Sequence, residues 1–189
     1  MSGLVNNLLD MARIQSGEAK LDMQWQPIEE VVGAALQSTQ GILARHVVEV
    51  ALPKELPLVE FDAVLISRVL TNLLENAGKY TAPGSTVRIE ALTSGDSLQV
   101  SVIDNGPGLA PGQEEKIFEK FTRGERESAI SGVGLGLAIC RAIVEAHHGK
   151  IWAENNPSAG AKFTFTLPLG RAPDGPETTQ ERWEAQESE

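Results

Sequence analysis

The amino-acid sequence predicts an α+β domain, a two-layer sandwich in which helices cover one face of a mixed, largely antiparallel sheet. Two segments of helical periodicity, residues 62–80 and 133–147, flank two segments that alternate like the strands of a hairpin. Strands and helices that do not repeat as strand, helix, strand favour this layered fold over a doubly wound parallel sheet. A long loop rich in glycine and charge, residues 105–131, is typical of a lid over a binding site.

Length, composition and charge limit the class of protein. The 189 residues suffice for one core of about 150 residues with tails. A hydrophobic fraction of 41% is ordinary for a globular domain, and no apolar run reaches the roughly 18 residues that span a bilayer. The net charge of -10 argues against nucleic-acid binding. Cys140 has no second cysteine to pair with in the chain, and we interpret it as a packing residue.

The two ends of the chain differ in composition from its middle. Residues 1–17 place apolar side chains at helical spacing and end on a Ser-Gly helix stop, so we interpret them as the end of a longer helix; an ordinary N-terminal helix is the alternative. Residues 18–170 form the predicted domain. Residues 171–189 hold six acids against two arginines, with proline and glycine, and are expected to be a disordered tail.

The elements of the predicted domain follow from periodicity and from turn residues. Pro27 opens a helix that is apolar at helical spacing through Leu36. A turn at residues 94–96 joins the two hairpin strands. The remaining predictions are strands at 24–26, 46–52, 58–61, 86–92, 97–104, 150–154 and 162–167, and a short helix near 114–118.

The helix at 62–80 has a polar edge beside its apolar side. At about 100° per residue, Asn72, Asn76 and Lys79 share one narrow stripe and Tyr80 lies beside it. Asparagine is a poor helix former, so two of them in one stripe indicate a binding site. The alternative is an exposed polar edge with incidental asparagines.

Asp104 ends a strand and continues its apolar face. Leu98, Val100 and Val102 have the same parity as Asp104, so the sheet's covering layer should bury the carboxylate. A buried carboxylate needs hydrogen-bond donors, and the exocyclic amino group of adenine is one. The alternative is that Asp104-Asn105-Gly106-Pro107-Gly108 is turn chemistry alone.

A second glycine-rich segment, Gly132-Val133-Gly134-Leu135-Gly136-Leu137, opens the helix at 133–147. Glycines at a helix N-terminus let backbone N–H groups approach a phosphate closely. The segment matches neither a Walker A loop nor a dinucleotide fingerprint. Between the two glycine-rich segments, Phe118-Glu119-Lys120-Phe121 and Arg123 form a basic, aromatic stretch that suits a lid over polyphosphate; a solvated loop is the alternative.

Across about residues 25–168 the chain resembles the Bergerat-fold ATP-binding superfamily, and within it the sensor histidine kinases. The resemblance rests on four motifs in family order: residues 72–80, 104–108, 118–123 and 132–137. Residues 4–17 and 118–145 are particularly similar to potassium-responsive sensor kinases of the KdpD type. Two positions depart from the pattern: Gly78 inside a helix, and Ala161 where relatives often have a hydroxyl residue.

The resemblance implies a Mg²⁺-ATP site and assigns its residues. Asn76 would ligate Mg²⁺, with Asn72 in support, and Lys79 and Arg123 would reach the phosphates, Arg123 when the lid closes. Tyr80 would pack on the nucleoside, and Asp104 would accept from the adenine amino group. The other residues implied in nucleotide binding are Gly106, Gly108, Phe118, Gly132, Gly134, Leu135, Gly136 and Leu137.

The resemblance also separates kinase from hydrolase. Related ATPases and serine kinases have a glutamate base four residues before the metal-binding asparagine, and Asn72 stands there instead. An amide is no base, which favours transfer to histidine; a base role for Glu75 stays open. We interpret His46, His147 and His148 as structural, so the acceptor histidine should lie on an upstream dimerisation domain.

These assignments imply the biological setting of the chain. A sensor kinase phosphorylates a response regulator, and the expected location is the cytoplasmic part of an inner-membrane sensor protein. The isolated chain should be a monomer that binds ATP without phosphorylating itself. The alternative functions are a non-catalytic, nucleotide-gated binding module and an ATPase or protein-serine kinase of the same superfamily.

Overall fold

A computed structural model describes residues 20–119 and 134–170 of the chain. The predicted helix at 1–17, the acidic tail, Arg123 and Gly132 lie outside these ranges. The elements are β1 (Gln24–Gln26), α1 (Ile28–Leu43), β2 (Val47–Ala51), β3 (Val59–Phe61), α2 (Ala63–Tyr80), β4 (Thr86–Ser94), β5 (Ser97–Asp104), a 3₁₀ turn (Lys116–Phe118), α3 (Gly136–Ala146), β6 (Ile151–Asn155) and β7 (Ala161–Pro168).

The strands form a five-stranded sheet in the order β2-β4-β5-β7-β6. The β2–β4 pair is parallel, and the other three pairs are antiparallel. A separate two-stranded sheet pairs β1 with β3. The prediction of an α+β domain with a mixed, largely antiparallel sheet is confirmed.

The helices pack on one face of the sheet, with α2 between α1 and α3. Asp62 caps α2 by accepting a hydrogen bond from the Leu65 N–H, as expected for aspartate at a helix start. Leu98, Val100 and Val102 of β5 are buried under this layer. Their strand parity is the one predicted, and it positions the strand's last residue at the same face.

Two helices differ in extent from the sequence pattern: α1 is longer than predicted, and α3 spans Gly136–Ala146 where 133–147 was predicted. Helix α1 continues to Leu43, past Leu36, because Thr39 and Leu43 are also buried. Its end passes so close to α2 that a Cβ on Gly78 would lie 3.0 Å from Ile42 Cγ1. The glycine inside α2 is therefore explained by helix packing. Among residues 20–119 and 134–170, no helix is long and apolar enough to cross a membrane.

Candidate nucleotide-binding site

Asp104, at the end of β5, is 8% exposed. Its Oδ1 accepts hydrogen bonds from the Gly106 N–H (2.8 Å) and from the Ala161 N–H of β7 (3.3 Å). In the described part of the chain, both hydrogen bonds to this carboxylate go to Oδ1. The backbone thus stabilises one carboxylate oxygen, and the other remains able to accept from a ligand.

The chain after Asp104 packs tightly against α2 and the β6–β7 turn. A Cβ on Gly106 would lie 2.6 Å from Thr81 Cγ2 at the end of α2. Gly108 has φ +73°, and a Cβ there would lie 2.6 Å from Asn155 Oδ1. A Cβ on Gly160, at φ +87°, would overlap the Asp104 carbonyl oxygen. Larger residues at these glycines would displace the backbone around Asp104.

Asparagine side chains hold both ends of this loop. Asn105 Oδ1 accepts from the Thr86 N–H at 2.8 Å. Asn155 contacts Leu109 twice: its Oδ1 accepts from the Leu109 N–H at 2.7 Å, and its Nδ2 donates to the Leu109 carbonyl at 3.1 Å. Sequence reasoning missed Asn155, since nothing in the local pattern links it to a loop 46 residues earlier.

Asn72 lies where α2 meets the start of α3. A Cβ on Gly136 would be 3.5 Å from Asn72 Oδ1. One turn further along α3, the Cys140 thiol donates to the Val69 carbonyl of α2 at 3.8 Å. Burial raises the pKa of this thiol to about 12, so it is neutral at pH 7. Cys140 is therefore a packing residue at the α2–α3 junction, as interpreted from sequence.

Helix α3 begins without a side-chain cap. Leu135 occupies the N-cap position and makes no side-chain hydrogen bond to the first turn. The first N–H groups of a helix have no acceptor within the helix, and they attract anions. The predicted residues Gly134, Leu135, Gly136 and Leu137 lie at this N-terminus, beside Asn72.

The remaining polar positions of α2 lie toward its C-terminus. Asn76 and Tyr80 are half-buried, and Lys79 is exposed. The Lys79 ammonium contacts Glu75 Oε2 at 2.6 Å, an i,i+4 ion pair. The Lys79 ammonium, predicted to reach the phosphates, and the Glu75 carboxylate, whose base role stays open, therefore pair with each other in this structure.

Phe118 belongs to the core. Its ring is 2% exposed, packs edge-on against Phe163 of β7 at 6.5 Å, and lies 4.7 Å from the Arg141 guanidinium. Arg141 also pairs with Glu115 at 2.7 Å. The 3₁₀ turn is thereby anchored to α3 and the sheet, and nucleotide contact by Phe118 stays a prediction.

His147 lies in the core, where its ring is hydrogen-bonded to the backbone. It is buried, its Nε2 accepts from the Asp62 N–H at 3.1 Å, and its Nδ1 lies 2.8 Å from the Ile143 carbonyl. Donation by Nδ1 to that carbonyl fixes the neutral tautomer. Burial lowers the pKa of His147 from 6.5. Both ring nitrogens are engaged within the fold.

The structure brings the predicted residues into two places joined by α2. Asp104, Gly106 and Gly108 lie together at the Thr81 end, and Asn72 lies beside the N-terminus of α3. From residue 72 to 81 the helix rises about 14 Å. In the described ranges no group of three or more His, Cys, Asp or Glu side chains is arranged to hold a metal ion.

Comparison with known sequences is consistent with this geometry. Residues 61–171 match the family described as histidine kinase-, DNA gyrase B- and HSP90-like ATPases. The chain is 55% identical over 171 residues to the sensor protein KdpD of Escherichia coli (strain K12), covering 90% of this chain and 19% of that protein. KdpD of Clostridium acetobutylicum is 40% identical over 167 residues, covering 87% and 19%. The chain thus spans about a fifth of these relatives.

Solved structures agree in fold. Full-length ShkA in complex with AMPPNP superposes with a TM-score of 0.79 at 27% identity, over 91% of this chain and 36% of that one. The histidine kinase ThkA in complex with the response regulator protein TrrA superposes with a TM-score of 0.68 at 26% identity, over 89% and 49%.

Proposed function

The chain belongs to the family of histidine kinase-, DNA gyrase B- and HSP90-like ATPases, and we propose that it binds Mg²⁺-ATP and transfers the γ-phosphate to a histidine on a separate helical domain. Its histidine kinase-type fold and its KdpD relatives support the kinase branch of the family. The acceptor histidine lies on an upstream dimerisation domain. Residues 1–17 are the end of that domain's helix, 18–170 the catalytic domain and 171–189 a tail.

The Asp104 carboxylate is the observation on which nucleotide binding depends. Backbone N–H groups of Gly106 and Ala161 occupy its Oδ1. An adenine amino group donates to Oδ2, while Gly106 and Gly108 shape the pocket and Tyr80 packs on the nucleoside. A guanine would present a carbonyl oxygen here, and two acceptors would face each other. The site therefore selects a 6-amino purine.

The uncapped N-terminus of α3 supports a phosphate site. Backbone N–H groups of residues 134–137 hold the phosphates. Gly132, which lies outside the described residues, is assigned to the same site. Asn76 ligates Mg²⁺ through its amide oxygen and Asn72 supports it from the α2–α3 junction; bound Mg²⁺ neutralises phosphate charge. For Lys79 to reach the phosphates, its ammonium must leave Glu75. Breaking an exposed i,i+4 ion pair of this kind costs about 0.3–0.5 kcal/mol. Arg123, which lies outside the described residues, adds charge when the lid closes, and Phe118 anchors the 3₁₀ turn that precedes it.

The residues favour histidine over hydroxyl acceptors. A serine or water nucleophile needs a base, and the amide at Asn72 cannot supply one. An imidazole nitrogen attacks with its own lone pair, so positioning and charge stabilisation suffice. His147 is unsuitable as the acceptor because it is buried with both nitrogens bonded.

We extend the proposal to the partners and location. The phosphorylated acceptor domain passes its phosphate to a response regulator, the class of partner named in the ThkA complex. The domain lies on the cytoplasmic side of a membrane sensor, where ATP is available. In isolation it is a monomer that binds ATP without phosphorylating itself.

Phosphotransfer in trans tests the proposal. The chain is mixed with Mg²⁺, γ-labelled ATP and a separately produced KdpD-type acceptor domain, with a His→Gln acceptor as control. We expect label on the native acceptor alone, in an acid-labile, alkali-stable bond. Hydrolysis without transfer would indicate the ATPase alternative, and binding with neither would indicate a nucleotide-gated module.

A further inference from the structure

Asn155 lies at the end of β6, across the sheet edge from the residue that contacts Asp104. In the β6–β7 register, Asn155 is the partner of Ala161. The Ala161 N–H donates to Asp104 Oδ1, and the Asn155 amide makes two hydrogen bonds to the Leu109 backbone. One strand pair thus holds both the carboxylate and the far end of the loop that follows it.

The contacts are specific to an asparagine side chain. Its amide offers an acceptor and a donor at the spacing of one residue's N–H and C=O, and both are used, at 2.7 and 3.1 Å. Its Oδ1 also lies 2.6 Å from where a Gly108 Cβ would be. Gly108 therefore approaches the Asn155 amide directly.

We propose that Asn155 is a positioning residue of the purine site. It fixes residues 106–109 against Asp104 and thereby maintains the preference for a 6-amino purine. The inference rests on the proposed nucleotide site, since Asn155 acts through the loop and not on the ligand. Without the amide, the loop has Asn105 to hold one end, and the Gly106 N–H that orients the carboxylate loses its fixed position.

The test compares two nucleotides in matched variants. Dissociation constants for ATP and for inosine triphosphate, which has an oxygen in place of the amino group, are measured for the unmodified chain, Asn155→Ala and Asn156→Ala. Asn156 is the control because its hydrogen bond to Gly160 comes from its backbone N–H, which alanine retains. We expect Asn155→Ala to weaken ATP binding about threefold to tenfold and to reduce the ATP preference, with Asn156→Ala unchanged.

The comparison separates positioning from general stability. If Asn155→Ala weakened the binding of both nucleotides equally, Asn155 would have only a structural role and the proposal would be overturned. Unchanged ATP binding would overturn it as well. An unmodified chain that binds no ATP would instead overturn the proposed function. If alanine prevents folding, the isosteric Asn155→Asp keeps the acceptor and loses the donor, and the same loss of ATP preference is expected.

Discussion

Replacing Asp104 by asparagine tests the purine site most directly. Because Oδ1 accepts from two backbone N–H groups, an amide at this position must turn its oxygen toward them. Its NH₂ group then occupies the place of Oδ2 and faces the adenine amino group, donor against donor. The lost hydrogen bond corresponds to about 1–3 kcal/mol, or roughly 5- to 150-fold in the dissociation constant of ATP.

Titration calorimetry with ATP and inosine triphosphate measures the effect. Asp104→Asn should weaken the binding of ATP and strengthen that of inosine triphosphate, whose oxygen accepts from the new NH₂ group. Asp96→Asn is the matched control, since it removes the same charge at the far end of β5, in the exposed β4–β5 turn. Unchanged ATP affinity in Asp104→Asn, with normal stability, would remove Asp104 from the purine site.

Three further predictions concern the fold around the site. Because burial lowers the pKa of His147 below 6.5, the unfolded chain binds that proton more tightly, and stability should fall as pH drops below about 6.5. The free energy of unfolding, measured in urea between about pH 8 and pH 5, should decline less in His147→Gln, which keeps an acceptor for the Asp62 N–H. Equal declines in the two proteins would contradict this. The Cys140 thiol, buried with a pKa of about 12, should resist alkylation in the folded domain and react in urea; stoichiometric labelling of the folded domain would refute its burial. Gly33→Ala, in open space on α1, should stabilise by about 0.5–1 kcal/mol, whereas Gly149→Ala, where a Cβ overlaps a β7 carbonyl, should destabilise by about 1–3 kcal/mol in urea unfolding; opposite signs would refute the packing.

Much of the fold could be predicted because local periodicity reports burial. The parity of Leu98, Val100 and Val102 places Asp104 on the covered face, where the structure has it. The helical spacing at 62–80 predicts α2 within one residue of its observed start. Parallel pairing of β2 with β4 was not predicted, because strand order depends on contacts between distant segments.

The candidate site was predictable as motifs and not as contacts. The Val69–Cys140 and Asn155–Leu109 hydrogen bonds join segments far apart in the chain, so no short-range pattern contains them. Gly78 is a second residue that local sequence patterns could not explain. By helix propensity alone, a glycine inside α2 is unfavourable. The structure explains it, because Ile42 of α1 lies where a larger side chain would need room.

The sequence alone determines which side chains lie on each helix stripe and strand face, since backbone geometry sets those periods wherever the chain goes. It also determines the order of the four motifs and the chemistry that each can perform. Which motifs meet is decided by folding: the packing of α2 against α3 brings Asn72 to Gly136, and the β6–β7 turn brings Asn155 to the Asp104 loop. Such contacts depend on burial and hydrogen bonding over the whole core, so they cannot be deduced from any one segment of the sequence.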